Sequence, residues 1–167
     1  MLSAQQKNTL SAMTEQTDIM MARSISLSED ITKELNQCLT ANGKTFSDLN
    51  DNPQLIMDLE SALYPSLKSA LDVKYCSGVF VVLDATVNTK TEYADTSRMG
   101  IYLRLSDLKA VNTSKQHVVF FRGNADIARA EQVQLHNRWN LEFDTSALPG
   151  YEQIMQFDGN RLVESCL

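Results

Sequence analysis

The stretch that most constrains the fold is Ser77–Val87, which reads SGVFVVLDATV. From Val79 onwards it is the longest β-type run in the chain, rich in branched and aromatic residues and preceded by Gly78. Such a run is typical of a central β-strand. The chain before it has helix-type spacing, and the chain after it alternates short apolar runs with polar loops. A sheet is therefore expected to begin at Cys76–Gly78.

The first segment, from Leu2 to about Ala41, has apolar residues at steps of three and four, as one face of a helix requires. The stripe is heptad-like, although two polar residues, Thr17 and Ser24, weaken it; its members are Leu10, Met13, Thr17, Met20, Ser24, Leu27 and Ile31. No Pro or Gly interrupts the segment before Gly43, which is a natural helix stop. We predict one long helix, or two helices broken near Ser24–Ser28, within residues 1–45. Such a helix would lie across the sheet or pair with a second copy.

A second helical segment follows a polar link. Asn52 and Pro53 form a good helix start, with Asn as the cap and Pro in the first turn. Pro65 lacks an N–H group and clashes with the preceding turn. Two short helices, over about 53–63 and 65–73, are therefore predicted.

Short strands and loops make up the remainder. Residues 98–105 (RMGIYLRL) and 117–122 (HVVFFR) read as strands, and Gly123-Asn124 opens a short helix. Alternation from Trp139 to Phe143 predicts a brief strand, and Arg161–Leu167 begins another. The predicted class is α+β rather than alternating βαβ units: an N-terminal helical segment, residues 1–45, and a core, residues 46–167, in which an antiparallel meander begins at Ser77.

Composition excludes some functions. The 167 residues carry a formal net charge of −6, with a pI near 4.9, which argues against binding to a nucleic-acid backbone. No run approaches the roughly 20 apolar residues of a membrane helix. No signal peptide is visible, so the chain is expected to be a cytoplasmic protein or a soluble piece of a longer one.

The common catalytic and metal motifs are absent from the sequence. There is no GxGxxG, P-loop, HExxH or GxSxG motif, and the two histidines, His117 and His136, have no carboxylate at ligand spacing. We therefore predict no enzyme activity, no metal and no cofactor. The weakest alternative is a small enzyme that uses Asp84 or Cys76. A disulfide between Cys76 and Cys166 is a further open alternative.

Several residues are candidates for a ligand site. Asp84 is a carboxylate inside an apolar strand, which is costly unless it is paired or faces a wet pocket. It either lines a pocket or lies near the sheet edge and caps the following loop. Tyr102 faces away from Ile101 and Leu103 if the strand alternates.

Arg122 ends a strand just before a helix start and could hold an anion together with the helix N–H groups. The alternative is an ion pair to Asp126 or Glu131. Trp139 and Tyr151 would wall the pocket or simply pack in the core. Six of the seven arginines lie after residue 97, which leaves room for an anionic ligand.

Three stretches carry a resemblance to a known family. They read GVFVVLDATV, SRMGIYLRL followed by HVVFFRG, and RWNLEFDTSALPGYEQIM. In the last, Asp144, Pro149 and Tyr151 match a segment that precedes a short helix. These stretches resemble the Cache family of bacterial extracytoplasmic sensor domains, which place a PAS-like sheet behind a long N-terminal helix. They are also similar to the sensor regions of membrane histidine kinases and helix-turn-helix regulators.

The resemblance implies a ligand-sensing domain in a membrane-anchored receptor. A small molecule would bind over the sheet, and the N-terminal helix, either alone or paired in a homodimer, would relay binding towards the membrane. The alternative is a cytoplasmic PAS-like or structural dimerisation domain without a ligand. The family completes its sheet with two further strands, so either this sheet is short or the natural protein continues beyond Leu167.

Overall fold

The computed structural model describes residues 3–72, 76–106 and 118–155. Four α-helices and six β-strands are found in these parts. The helices are α1 (Ala4–Ala41), α2 (Pro53–Ala70), α3 (Ala125–Ala130) and α4 (Tyr151–Met155). The strands are β1 (Gly78–Val82), β2 (Ser97–Arg98), β3 (Gly100–Leu105), β4 (Val118–Arg122), β5 (Gln134–Asn140) and β6 (Phe143–Asp144). The predicted α+β class, with a long N-terminal helix, is confirmed.

The main sheet has four strands in the order β1-β3-β4-β5, and β2 pairs with β6 in a separate two-stranded sheet. β1, β3 and β4 are antiparallel neighbours, but β5 runs parallel to β4. The prediction of a purely antiparallel meander is therefore wrong at this last pair. The reason is the short helix α3, which carries the chain back along the sheet before β5 begins.

The opening strand is shorter than the predicted Ser77–Val87, because β1 ends at Val82. Leu83 still donates its N–H to Met99 at 3.0 Å, and the chain then bends at Asp84. Beyond the bend, Thr86 donates its N–H to the side chain of Asn50 at 3.0 Å. The second half of the apolar run therefore packs against the link before α2 instead of extending the sheet.

Helix α1 is continuous, so the alternative of a break near Ser24–Ser28 is wrong. The Ser24 hydroxyl donates to the carbonyl of Met20 at 2.9 Å and faces its own helix. Ser3 caps the first turn together with Gln6. After the helix, Gly43 has φ +63°, a left-handed conformation that suits a C-terminal stop.

Helix α2 also runs unbroken, and the prediction of two helices split at Pro65 is wrong. Asn52 caps its start as expected and accepts the N–H of Leu55 at 3.2 Å. Leu63 and Leu67, on either side of the proline, are both fully buried on one face. Burial of this stripe offsets the hydrogen bond that Pro65 cannot make.

The elements stack in three layers. α2 packs directly on β1 and β3, and α1 packs mainly on α2. The core lies between α2 and the sheet, and partly buried residues of the second half of α1 extend it. Its largest fully buried side chains are Leu49, Ile56, Leu59, Glu60, Leu63, Tyr64, Leu67, Met99, Ile101, Leu103 and Phe120.

None of the described helices is long and apolar enough to cross a membrane. The strand predicted over Arg161–Leu167 lies outside the described residues, as does Cys166 of the alternative disulfide.

Candidate functional site

Asp84 and Tyr151, two of the predicted site residues, lie together beside an arginine. Asp84 is exposed in the bend after β1, and its Oδ1 accepts from Nε of Arg98 at 2.6 Å. Arg98 is held in place because its Nη1 also donates to the carbonyls of Ala94 and Ser97. Burial, and then the nearby charge of Asp84, raise the pKa of Tyr151. Asp84 thus lies at the end of the edge strand and is engaged in an ion pair.

Arg122 and Trp139 lie at the opposite part of the sheet, where β4 leads into α3. Nη1 of Arg122 donates to the carbonyls of Phe121 and Arg138, at 2.7 and 2.8 Å. The indole N–H of Trp139 donates to the carbonyl of Gly123 at 3.0 Å. These bonds join β4 to β5 and fix the turn before α3, so both side chains have structural partners here.

The alternative ion pairs predicted for Arg122 are formed by other cations. Asp126 pairs with Arg129 one turn later on α3. Glu131 pairs with Lys68 of α2 at 3.6 Å. The interpretation of Arg122 as a partner of Asp126 or Glu131 is therefore wrong among the described residues, since its guanidinium is turned towards the strand backbone.

Tyr102 belongs to a continuous series of rings that we call the aromatic row: Phe143, Phe80, Tyr102, Phe121 and His136. Successive ring centroids along the row are 6.3, 6.1, 5.0 and 3.8 Å apart. The row crosses the whole main sheet, with one ring from each of its four strands, and ends on β6. Phe80 is 58% exposed, the three rings after it are half-buried, and Phe143 is buried.

The aromatic row lies on the sheet face opposite the helices. Successive side chains of a strand point to opposite faces. Ile101 and Leu103 are buried on the helix side of β3, so Tyr102 between them faces outwards, as predicted. On β1, Phe80 follows the buried Val79 and faces outwards for the same reason. On β4, Phe121 follows the buried Phe120 and also faces outwards.

Sequence reasoning singled out only Tyr102 of this row. The alternation of side chains within each strand was a usable signal for two other rings. Phe80 and Phe121 each lie next to a buried residue of the same strand and therefore face the other side of the sheet. His136 could not be found this way, because β5 was expected only from Trp139 onwards. The register that aligns the rings depends on strand pairing, which one sequence does not reveal.

Cationic groups accompany the aromatic row. Arg104 is exposed on β3, two residues after Tyr102, and so shares its face. Arg122 is the register partner of Tyr102 across β3 and β4. At the other end, Arg98 is the register partner of Phe143. The row therefore offers flat apolar faces with positive charge nearby, which suits a planar or anionic ligand.

A buried carboxylate lies on the other side of the sheet. Glu60 of α2 is only 1% exposed, and its Oε2 accepts the N–H of Asn124 at 2.8 Å. Its Oε1 has no hydrogen-bond partner among the described residues. The pKa of Glu60 is raised to about 7, mainly because the carboxyl group is buried. The hydrogen bond from the Asn124 backbone lowers this pKa, and the negative charge of Glu142 raises it further. The carboxyl group joins α2 to the start of α3 and titrates near neutral pH.

Sequence reasoning missed Glu60, although a signal was available. It follows Leu59 and precedes Leu63 by three positions, within the apolar stripe of α2. A charged residue in such a stripe is unusual unless it has a buried partner. The partner, the backbone of Asn124, is 64 positions away and became visible only in the fold.

Within the described ranges, no group of three or more His, Cys, Asp or Glu side chains could hold a metal ion. Comparison of the chain with protein-family models, with curated proteins and with solved structures finds no match. The resemblance to Cache domains therefore stays a prediction, and the geometry of the aromatic row is the main guide to function.

Proposed function

We propose that this chain is a ligand-sensing domain of a bacterial signal-transduction receptor and that its aromatic row binds a small planar molecule. The observation that carries the proposal is the row itself. Apolar side chains on a free sheet face are usually scattered, whereas contiguous exposed apolar groups mark interaction sites. Four rings in contact across every strand of the sheet, one exposed and three half-buried, form such a group, and the buried ring of Phe143 adjoins them.

The charge near the row favours an anionic ligand. A planar carboxylate could stack on Tyr102 and place its charge towards Arg104, which lies on the same strand face, or towards Arg122, the register partner of Tyr102. Arginine presents a planar fork that matches a carboxylate. In this proposal Asp84 and Tyr151 act at the rim, through Arg98, rather than on the ligand directly.

Signal relay is proposed to run through the helices. The row and the core share β1 and β3, α2 packs on these strands, and α1 packs on α2. A ligand shifts a conformational equilibrium only by its difference in affinity for the two states. The proposal therefore requires two packings of α1 against α2. The location outside the membrane, in a membrane-anchored parent protein, rests on the resemblance to Cache domains.

The proposed site can be tested with aromatic carboxylates. A thermal-shift screen would compare benzoate, nicotinate and indole-3-carboxylate with acetate and with the neutral amides. We expect stabilisation by at least one aromatic acid, greater than by its amide. Tyr102→Ala and Phe80→Ala should abolish the shift, and Tyr93→Ala is the matched control, because Tyr93 is 65% exposed outside the row. Equal shifts in all three variants would disprove the site.

A second candidate function is dimerisation without a small ligand, and the first half of α1 favours it. Residues 4–18 are exposed along their whole length, including Leu10 at 57% and Met13 at 61%. These residues belong to the predicted heptad-like stripe and have no partner among the described residues. Sedimentation equilibrium of the chain and of a Leu10→Glu, Met13→Glu double variant would test it. A concentration-dependent dimer that the double variant loses would support this function.

A further inference from the structure

A cleft lies between α1 and the edge of the sheet, and it shares one residue, Phe80, with the aromatic row. It has a volume of about 430 Å³. One wall is α1, where Met20, Leu27 and Ile31 alternate with polar residues, and the other is β1 at Val79, Phe80 and Val81. The volume is within the range of roughly 300–1,000 Å³ that is usual for binding pockets.

Among the described residues, the strand that forms this wall has one hydrogen-bonding edge without a partner. β1 is the outermost strand of the main sheet. The carbonyl of Ser77 and the N–H of Leu83 both bond towards β3, at 3.0 Å, and this fixes the phase of the ladder. Alternate residues of an antiparallel strand bond to the same side. Phe80 and Val82 therefore direct their N–H and C=O groups away from β3, and no described residue bonds to them.

The charge of the cleft has one sign. Arg23 of α1 is the charged residue among the described residues that line it, and no acidic side chain is present there. Arg23 forms no ion pair with any described residue. An acidic group on the occupant would complement it, with a strength that salt reduces, because the guanidinium is exposed.

We propose that this cleft binds an extended peptide segment of a partner protein as an added strand on β1. Free strand edges are templates for this pairing, in which main-chain hydrogen bonds give affinity and pockets for alternate side chains give specificity. The partner segment pairs with Phe80 and Val82, places alternate apolar side chains under α1 and carries an acidic residue that faces Arg23. The inference goes beyond the proposed function and does not depend on it.

The experiment selects ligands from a library of displayed random heptapeptides, with the chain as bait. We expect enriched sequences that alternate branched apolar residues and contain an acidic residue. Their affinities would be measured by fluorescence polarisation with the synthetic peptides. Phe80→Pro removes the outward N–H but leaves the ladder to β3 intact, and edge strands tolerate such a proline. It should weaken binding at least tenfold.

Phe80→Ala is the matched control: it removes a ring that lines the cleft but keeps the outward N–H, so it should weaken peptide binding clearly less than Phe80→Pro does. If Phe80→Pro does not fold, the same hydrogen bonds can be tested on the unchanged chain with N-methylated peptides. Two peptides would be compared, one methylated at the odd-numbered amides and one at the even-numbered amides. Only the peptide whose methyl groups face β1 should lose binding. Arg23→Gln should weaken the binding of acidic peptides about fivefold. The same substitution should leave unchanged the affinity for peptides in which Asp or Glu is replaced by Asn or Gln.

Three results would overturn the proposal. The first is a selection without enriched alternating sequences. The second is equal binding by the Pro and Ala variants, or by both methylated peptides. The third is a chain that forms a dimer in sedimentation experiments, loses it with Phe80→Pro and binds no peptide, because a second copy would then occupy the edge.

Discussion

The two faces of the main sheet use similar residues to opposite effect. On the inner face, Leu103 and Phe120 are fully buried under α2, and Phe120 stacks on Tyr64 with ring centroids 6.4 Å apart. On the outer face, Phe80 and Tyr102 also contact each other, but they keep solvent access. Apolar composition therefore does not separate core from surface in these strands. The helix that covers one face makes the difference.

The largest expected effect on stability is on the inner face. Phe120→Ala should lower the free energy of unfolding by about 3–5 kcal/mol, because it leaves a cavity between α2 and the sheet. Phe121→Ala, one position later on the outer face, should cost less than half as much. Urea unfolding followed by circular dichroism measures both. Similar losses in the two variants would mean that the outer face is as tightly packed as the inner one.

The next effect depends on pH and concerns Glu60, also on the inner side. Its native pKa of about 7 exceeds the ordinary value of 4.5. Between these values the native state holds a proton that the unfolded state releases. Stability should therefore fall as the pH rises from about 4.5 to about 7, by an amount on the order of 3 kcal/mol.

Glu60→Gln tests this expectation, because the amide oxygen can still accept the N–H of Asn124 but carries no charge. The variant should gain stability over the parent chain at pH 8 and little at pH 5. Urea unfolding at the two pH values measures the difference. An unchanged pH dependence would show that Glu60 does not titrate in this range.

A smaller effect is expected on the outer face. Phe80→Ala removes one ring from the aromatic row, and aromatic pairs contribute about 0.5–1.5 kcal/mol beyond burial. Because the ring is 58% exposed, the total loss should be about 1 kcal/mol or less. Thermal unfolding measures it beside the Phe120→Ala variant. A loss as large as that of Phe120→Ala would contradict the contrast between the faces.

The smallest effect on the free energy of unfolding is expected at the bend after β1. Asp84→Asn removes the ion pair with Arg98. The Asp84 carboxylate is half exposed in this pair. Exposed pairs contribute roughly 0–1 kcal/mol. The change in unfolding free energy should therefore be below about 1 kcal/mol, with a further decrease in 1 M salt. A much larger loss would indicate that Arg98 depends on Asp84 to hold the bend after β1.

The sequence predicted elements well where the signal is local. The long helix up to Gly43, the Asn52 cap and the start of the sheet at Gly78 all depend on residues within a few positions of each other. The predicted helix break at Pro65 and the predicted extension of β1 to Val87 were wrong, because tertiary packing determines both. Burial of Leu63 and Leu67 kept α2 intact.

The candidate site was harder to predict, because it depends on strand register. Tyr102 was assigned to the correct face by alternation alone. Its contacts with Phe80 and Phe121 come from residues about 20 positions away on either side and depend on the pairing of β1, β3 and β4. Likewise, Asp84 was recognised as unusual, but its partner Arg98 follows from the return of the chain beside the bend.

The first half of α1 has a mechanical consequence. Residues 4–18 stand clear of the described body, and at 1.5 Å per residue they extend for about 22 Å. A tilt of about 10° where the helix docks on α2 would move its free end by about 4 Å. A change in the packing of α1 on α2 would therefore produce a larger displacement near Ser3 than at the contact itself.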